Sequence, residues 1–264
     1  MAMLPNPLPA LATDPTGRAL GLDLPPGRLV DATVDGPWHE PLLWCGDEPA
    51  APGTWDRLLP ARRAGGLHPL LIGGPSGPHE WELWPQRVSY PGDHDAEEVL
   101  AELWDSAAAD GADADGDWPG LAPGSALVED PDRLAAEAAD ALSAGAGGDV
   151  LKGARPALVR ARRSADIPAV IGWSGPLGHE GDVARLCSVL RSWEDRFGIR
   201  VVGLSLGRLV LSVAAPPTRT ADAEVLAAEH LAFCPDSVLR SPRPGLGPCA
   251  RRLLGAPVWT FSWD

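Results

Sequence analysis

Residues 182–214, DVARLCSVLRSWEDRFGIRVVGLSLGRLVLSVA, contain a helix and two strands in immediate succession, and they set the expected fold class. Asp182 is a residue type that caps helices, apolar residues then recur at helical spacing, and Gly198 is typical of a helix end. Two β-branched runs follow at 199–204 and 208–214, separated by a glycine at a predicted hairpin turn. This stretch therefore predicts an α-β-β unit.

The segments on either side extend this unit. Residues 167–173 predict a strand before it, and a second amphipathic helix begins near Thr220. A short helix at 246–254 and a final strand at 257–263 follow. The order β-α-β-β-α-(α)-β is typical of an α+β domain with a ferredoxin-like or similar sheet covered by helices. Because such folds carry many unrelated activities, the order alone indicates no function.

The upstream region, residues 28–150, predicts a second small α/β unit. Apolar runs at 41–45 and 67–72 are typical of buried strands, and a short helix capped by Thr54 lies between them. This gives the region a βαβ-like beginning. Two amphipathic helices complete it, over residues 95–109 and from Asp130 to about Gly145.

Composition marks the segments between these units. Residues 1–27 are rich in proline without a hydrophobic period, so they are predicted to be disordered or irregular. An acidic linker is predicted over 105–117 and a basic linker over 151–165. The C-terminal domain is therefore expected at 166–264, where acids and bases are equal in number.

Charge and motif content exclude several classes of function. The formal net charge is −14, whereas a general nucleic-acid binder needs a basic surface, so no nucleic-acid partner is expected. No apolar run approaches the roughly 20 residues of a membrane-spanning helix and the first residues do not resemble a secretory signal, so we expect no membrane partner and a cytoplasmic location. The four cysteines form no C-x-x-C pair, and no phosphate-binding or metal-binding motif is present; neither a cofactor nor a metal is predicted.

Three residues are the candidates for catalysis. His230 and Cys234 lie four residues apart on one predicted helix, and His179 lies in a loop before the preceding helix. A reactive thiolate needs a neighbouring base or positive charge, which the residues next to Cys234 do not supply. Because histidine and cysteine on an apolar helix face are more often core residues, packing is the favoured interpretation.

Several motifs in the last hundred residues resemble one family. They are RSWEDRFG at 191–198, AEH at 228–230, FCPD at 233–236 and the terminal WD at 263–264. Together they resemble a bacterial family, the domain-of-unknown-function family numbered 4253, over about residues 166–264. The resemblance implies a compact C-terminal domain and no activity. Its most distinctive positions are Arg191, Trp193, Glu194, Glu229, His230, Cys234, Asp236 and Trp263.

Two functions from different classes remain open. We expect a non-enzymatic cytoplasmic protein that binds a protein partner through its C-terminal domain, in the manner of an immunity or inhibitor protein whose acidic surface attracts a basic partner. The alternative is a small Cys/His-dependent hydrolase or transferase, in which His230, Cys234 and His179 meet in a solvated cleft. The candidate binding residues are Arg191, Trp193, Glu194, Glu229, Asp236 and Trp263.

Overall fold

The computed structural model describes residues 6–74, 81–109, 116–145, 151 and 153–263, and the α+β class predicted for the chain is confirmed. The described strands are β1 (Gly27–Val30), β2 (Ala32–Thr33), β3 (Gly36–Pro37), β4 (Leu43–Gly46), β5 (Leu67–Ile72), β6 (Arg155–Arg160), β7 (Arg200–Leu204), β8 (Arg208–Ser212) and β9 (Val258–Ser262). The described α-helices are α1 (Ala10–Thr13), α2 (Thr54–Leu58), α3 (Pro60–Gly65), α4 (Ala96–Ala109), α5 (Pro131–Ser143), α6 (Ile167–Ile171), α7 (Val183–Phe197), α8 (Thr220–Phe233), α9 (Pro235–Leu239) and α10 (Leu246–Leu253). Within the described part of the chain, no helix has the length and apolar character needed to cross a membrane.

Seven strands form one mixed sheet in the order β1-β4-β6-β5-β7-β8-β9, and β2 pairs with β3 in a separate ribbon. β5 and β7 are parallel neighbours, whereas the other neighbouring pairs in the large sheet are antiparallel. The two regions predicted as separate units therefore contribute strands to the same sheet. The βαβ-like beginning joins β4 to β5, but β6 lies between these two strands.

Strand β6 comes from a segment predicted as a linker. Residues 155–160 lie inside the predicted basic linker 151–165, yet they pair with β4 on one side and β5 on the other. The middle of the strand is buried, while Arg155 and Arg160 at its ends are only partly buried. These terminal arginines dominate the charge pattern of the segment, and the apolar run between them is too short to indicate a strand by itself.

The prediction of a strand at residues 167–173 is wrong, because these residues contain the helix α6. Pro168 lies in the first turn of α6, where its missing N–H leaves no hydrogen bond unmade. Gly172 ends the helix with a φ of +66°. The segment is buried on nearly all sides, and an apolar run this short fits a buried helix as well as a buried strand.

The helix predicted between Asp182 and Gly198 is confirmed at both ends. The Asp182 carboxylate accepts a hydrogen bond of 3.0 Å from the backbone N–H of Ala184 and so caps α7. Gly198 ends α7 with a φ of +62°, a backbone conformation that favours glycine. The two strands of the predicted hairpin follow directly as β7 and β8.

The N-terminal segment, predicted to be disordered or irregular, contains the short helix α1 and is packed against the sheet. Leu8 and Leu11 are buried in one cluster with Trp44 and Leu58. The start of the predicted acidic linker, residues 105–109, forms the end of α4. Residues 110–115 of that linker lie outside the described part of the chain.

Helices cover both faces of the sheet. Leu71, Val202 and Val210 share a cluster with residues of α2 and α5. The neighbouring strand residues point the opposite way, because side chains alternate along a strand. Leu70 and Val201 accordingly belong to the larger cluster that includes α4, α7, α8 and α10.

Candidate functional site

Glu229 on α8 is the centre of a buried hydrogen-bond network, not an exposed binding residue. Its carboxylate is 0% exposed and accepts bonds from both terminal nitrogens of Arg196, at 2.8 and 2.6 Å. It also accepts one bond of 2.7 Å from the indole of Trp193 and another of 2.7 Å from the backbone N–H of Ala122. Glu229 and Trp193 therefore hold α7, α8 and the segment after α4 together.

Glu194, also on α7, is the centre of a second hydrogen-bond network within the protein. Its carboxylate accepts bonds from Arg163 Nε at 3.1 Å and Arg200 Nη1 at 3.2 Å, and one from the backbone N–H of Ala165 at 3.3 Å. These contacts tie α7 to the chain before α6 and to β7. Glu194 is thus committed to contacts within the protein.

His230 lies in an aromatic cluster. Its ring centroid is 5.1 Å from that of Trp193 and 4.8 Å from those of Trp259 and Phe261. Burial, with a smaller contribution from Arg252, lowers its pKa to about 3, so the imidazole is neutral near pH 7. Its Nε2 atom has no hydrogen-bond partner among the described residues.

Cys234 is buried directly after α8. Its Sγ atom lies 3.1 Å from Ser237 Oγ and 3.2 Å from the backbone oxygen of Ser262. Burial raises the pKa of the thiol to about 11, so the reactive thiolate is scarce near neutral pH. Both polar contacts of Sγ are made to residues other than His230, which does not serve as a base for this thiol.

A cleft of about 680 Å³ lies between α4, the loop before α7, α9 and the end of β9. We call it the α4–α9 cleft, and its lining includes Leu103, Ser106, Ala107, His179, Asp236, Leu239, Arg240 and Trp263. Its volume is within the range of about 300–1,000 Å³ that is common for ligand pockets. The cleft combines apolar side chains with a small number of polar groups.

The polar groups of the α4–α9 cleft are held in defined positions. His179 Nε2 lies 3.1 Å from the Ala232 carbonyl oxygen, to which it donates a hydrogen bond. Arg240 Nε lies 3.0 Å from Asp236, one turn away along the chain. The indole N–H of Trp263 is buried without a hydrogen-bond partner in the described structure.

The motifs of the C-terminal half correspond to one family model. Residues 155–264 match the family described as Domain of unknown function (DUF4253). No curated protein and no solved structure gave a match. The family resemblance seen in the sequence is confirmed, and the DUF4253 segment begins earlier than residue 166, at the first residue of β6.

The structure separates the predicted site residues into three groups. His179, Asp236 and Trp263 line the α4–α9 cleft, with Cys234 buried beside them. Trp193, Glu194, Glu229 and His230 have their contacts inside the DUF4253 segment or with the chain after α4. Arg191 lies elsewhere and donates to both carboxylate oxygens of Asp166.

Several cleft residues were missed by the sequence analysis. Leu239 is the last residue of α9, and Arg240 follows it directly. This helix was not predicted, because Pro235 was interpreted only as the end of the preceding helix. Proline is also favoured at the first position of a helix, and the acidic residue after it is a further sign of a helix start. Leu103, Ser106 and Ala107 come from α4, outside the DUF4253 segment, and only the tertiary fold brings them to the cleft.

Proposed function

We propose that this is a non-enzymatic cytoplasmic protein whose α4–α9 cleft receives a short segment of a protein partner. The observation that carries the proposal is the lining of the cleft by His179, Asp236 and Trp263 together with apolar residues of α4 and α9. The four cysteines support the proposed compartment because each is a buried free thiol, as is usual in a reducing environment.

The lining supports recognition of a peptide segment through a combination of charged and apolar side chains. Asp236 and Arg240 place one acidic and one basic side chain at the cleft, where they pair with each other. Leu103, Leu239 and the Trp263 ring provide apolar contact area. Tryptophan and arginine are also the residues that contribute most often to the binding energy of protein interfaces.

The overall charge supports a role like that of an immunity or inhibitor protein. A net charge of −14 produces a negative potential that attracts a basic partner and raises the rate of association. The hydrolase or transferase alternative has no comparable support. Cys234 is buried with a raised pKa, and His230 is a neutral residue of the aromatic cluster.

The test is selection of cleft-binding peptides from a displayed library of random sequences. Ser106→Trp places a large ring in the cleft at an exposed position of α4, whereas Ala108→Trp adds the same ring to an exposed position of α4 that does not line the cleft. We expect selected peptides to bind the wild type and Ala108→Trp equally, and to bind Ser106→Trp at least about tenfold more weakly. Peptides that bind all three proteins equally would contradict the proposal.

A further inference from the structure

A second pocket, of about 540 Å³, is lined by residues of α3, β5, β6, α6 and α7 and by the segments that precede α4 and α6. Four arginines contribute to its lining, and we call it the arginine pocket. Its polar lining residues are Arg62, His68, Arg160, Arg162, Asp166 and Arg191. Such a concentration of guanidinium groups stands out in a protein with a net charge of −14.

Two of these arginines, Arg191 and Arg62, are held in place by carboxylates. Neither uses all of its N–H donors in these contacts. Arg191 uses Nε and Nη2 to bind Asp166, at 2.5 and 3.0 Å, and it also forms a hydrogen bond with the side chain of Tyr90, whose ring centre lies 5.1 Å from the guanidinium. Arg62 pairs through Nη1 with Asp132, which also binds Arg200. The remaining nitrogens of Arg62 make no hydrogen bond within the described part of the chain.

Arg160 differs from these two arginines because nothing in the described structure pairs with it. It lies at the end of β6, is partly buried, and its guanidinium has no hydrogen bond or ion pair to any described residue. An arginine side chain presents five N–H donors in a planar fork that matches the oxygens of a phosphate or carboxylate. Arg160 is therefore available to an anion in the pocket, beside a second arginine that is already oriented.

The pocket also has an apolar side. Tyr90 is 47% exposed and Val170 is 38% exposed, which makes them two of the large hydrophobic residues that the described fold leaves in contact with water. Pro91 and the backbone of Gly65 and Gly66 complete this side. An inorganic anion alone would contact the arginines and leave these apolar groups exposed.

We propose that the arginine pocket binds a small organic phosphate monoester, with the phosphate on Arg160 and Arg62 and the organic group against Tyr90 and Val170. This site is separate from the α4–α9 cleft and does not depend on the proposed partner. The phosphate oxygens accept charge-assisted hydrogen bonds, which are stronger than bonds between neutral groups. Added salt should weaken binding because it screens the charges.

The test is calorimetric titration of the full chain with phenyl phosphate, in a buffer free of other phosphates. We expect phenyl phosphate to bind at least about tenfold more tightly than inorganic phosphate or phenol, each of which lacks one half of the ligand. Arg160→Gln should weaken binding at least about tenfold without lowering the unfolding temperature, because Arg160 has no partner among the described residues to lose. Arg63→Gln removes an exposed neighbouring arginine that does not line the pocket, and it should leave binding unchanged.

Three results would overturn the proposal. The first is no binding of phenyl phosphate. The second is equal affinity for phenyl phosphate and inorganic phosphate, which would show that the apolar side of the pocket does not contribute to ligand binding. The third is equal loss of affinity in Arg160→Gln and Arg63→Gln, which would show that general charge attraction and not the pocket holds the ligand.

Discussion

At the scale of single residues, Glu229 has a structural role within the DUF4253 segment. Its fully buried carboxylate neutralises Arg196 and accepts two further hydrogen bonds. Removing one partner of such a pair leaves the other charge buried without compensation. The network therefore stabilises the packing of α7 against α8 as long as all its members are present.

We predict that Glu229→Gln lowers the free energy of unfolding by about 3–5 kcal/mol, because it removes the charge that compensates Arg196. Urea denaturation measures this change. Glu224→Gln, at an exposed position of the same helix, is the matched control and should change stability by less than about 0.5 kcal/mol. Similar midpoints for both variants would show that the network contributes little.

The burial of His230 predicts a pH dependence of stability. Burial lowers its pKa from 6.5 to about 3, so between these values the unfolded chain binds a proton that the folded protein does not. The free energy of unfolding should fall as the pH decreases below about 6.5, by about 1.4 kcal/mol per pH unit from this residue. His68, with a pKa lowered by burial to about 4, acts in the same direction.

Comparison of His230→Phe with the wild type isolates the contribution of His230. Denaturant unfolding between pH 4 and 6 should give a shallower pH dependence for His230→Phe, by about 1.4 kcal/mol per pH unit. His39→Gln, at an exposed histidine, should keep the slope of the wild type. An unchanged slope in His230→Phe would mean that His230 is protonated in the folded protein.

At the scale of elements, α6 and its terminal glycine decide how the DUF4253 segment meets the N-terminal region. Gly172 has a φ of +66°, and a Cβ atom there would lie 2.2 Å from the backbone nitrogen of Pro85. The backbone N–H of Trp84 donates a hydrogen bond of 2.7 Å to the Gly172 carbonyl. The close approach of these two segments therefore requires glycine.

We predict that Gly172→Ala destabilises the protein by more than about 1–2 kcal/mol, the cost of a left-handed backbone alone, because the methyl group also clashes with the chain at Pro85. Thermal unfolding measures the change. Gly181→Ala is the matched control because a Cβ atom there meets nothing within 4 Å. An equal unfolding temperature for the two variants would contradict the packing of Gly172 on Pro85.

The elements that the sequence predicted well are those with caps and a clear period. Asp182 and Gly198 bound α7, and its apolar period is long enough to distinguish a helix from a strand. The segments at β6 and α6 are short and buried, so periodicity could not identify them. The α4–α9 cleft could be predicted only in part, because the fold adds residues of α4, far upstream in the chain, to His179 and Asp236.

At the scale of the whole molecule, the sheet joins the DUF4253 segment to the residues before it. β6 pairs only with β4 and β5, and β7 pairs with β5 on one side; both β4 and β5 precede residue 155. An isolated DUF4253 segment would leave both edges of β6 without partners. Unpaired edges of this kind promote aggregation.

We predict that residues 155–264 expressed alone do not fold cooperatively, whereas the full chain does. Circular dichroism during thermal unfolding, with light scattering to detect aggregates, compares the two proteins. A sharp and reversible unfolding transition of the isolated segment would contradict this prediction. It would show that the segment folds without the pairing of β6 to β4 and β5.

Cys234 and His230 are buried in the core, and on this ground we propose a protein that binds a partner and does not use a thiol for catalysis. The most direct test is the alkylation rate of each cysteine in the native protein as a function of pH, resolved by mass spectrometry, with the Ala108→Cys variant supplying an exposed reference thiol. We predict that Cys234 stays unmodified under conditions that alkylate the reference thiol, and that it reacts only after unfolding. Rapid alkylation of Cys234 below pH 7 would contradict the claim and favour a thiol-dependent enzyme.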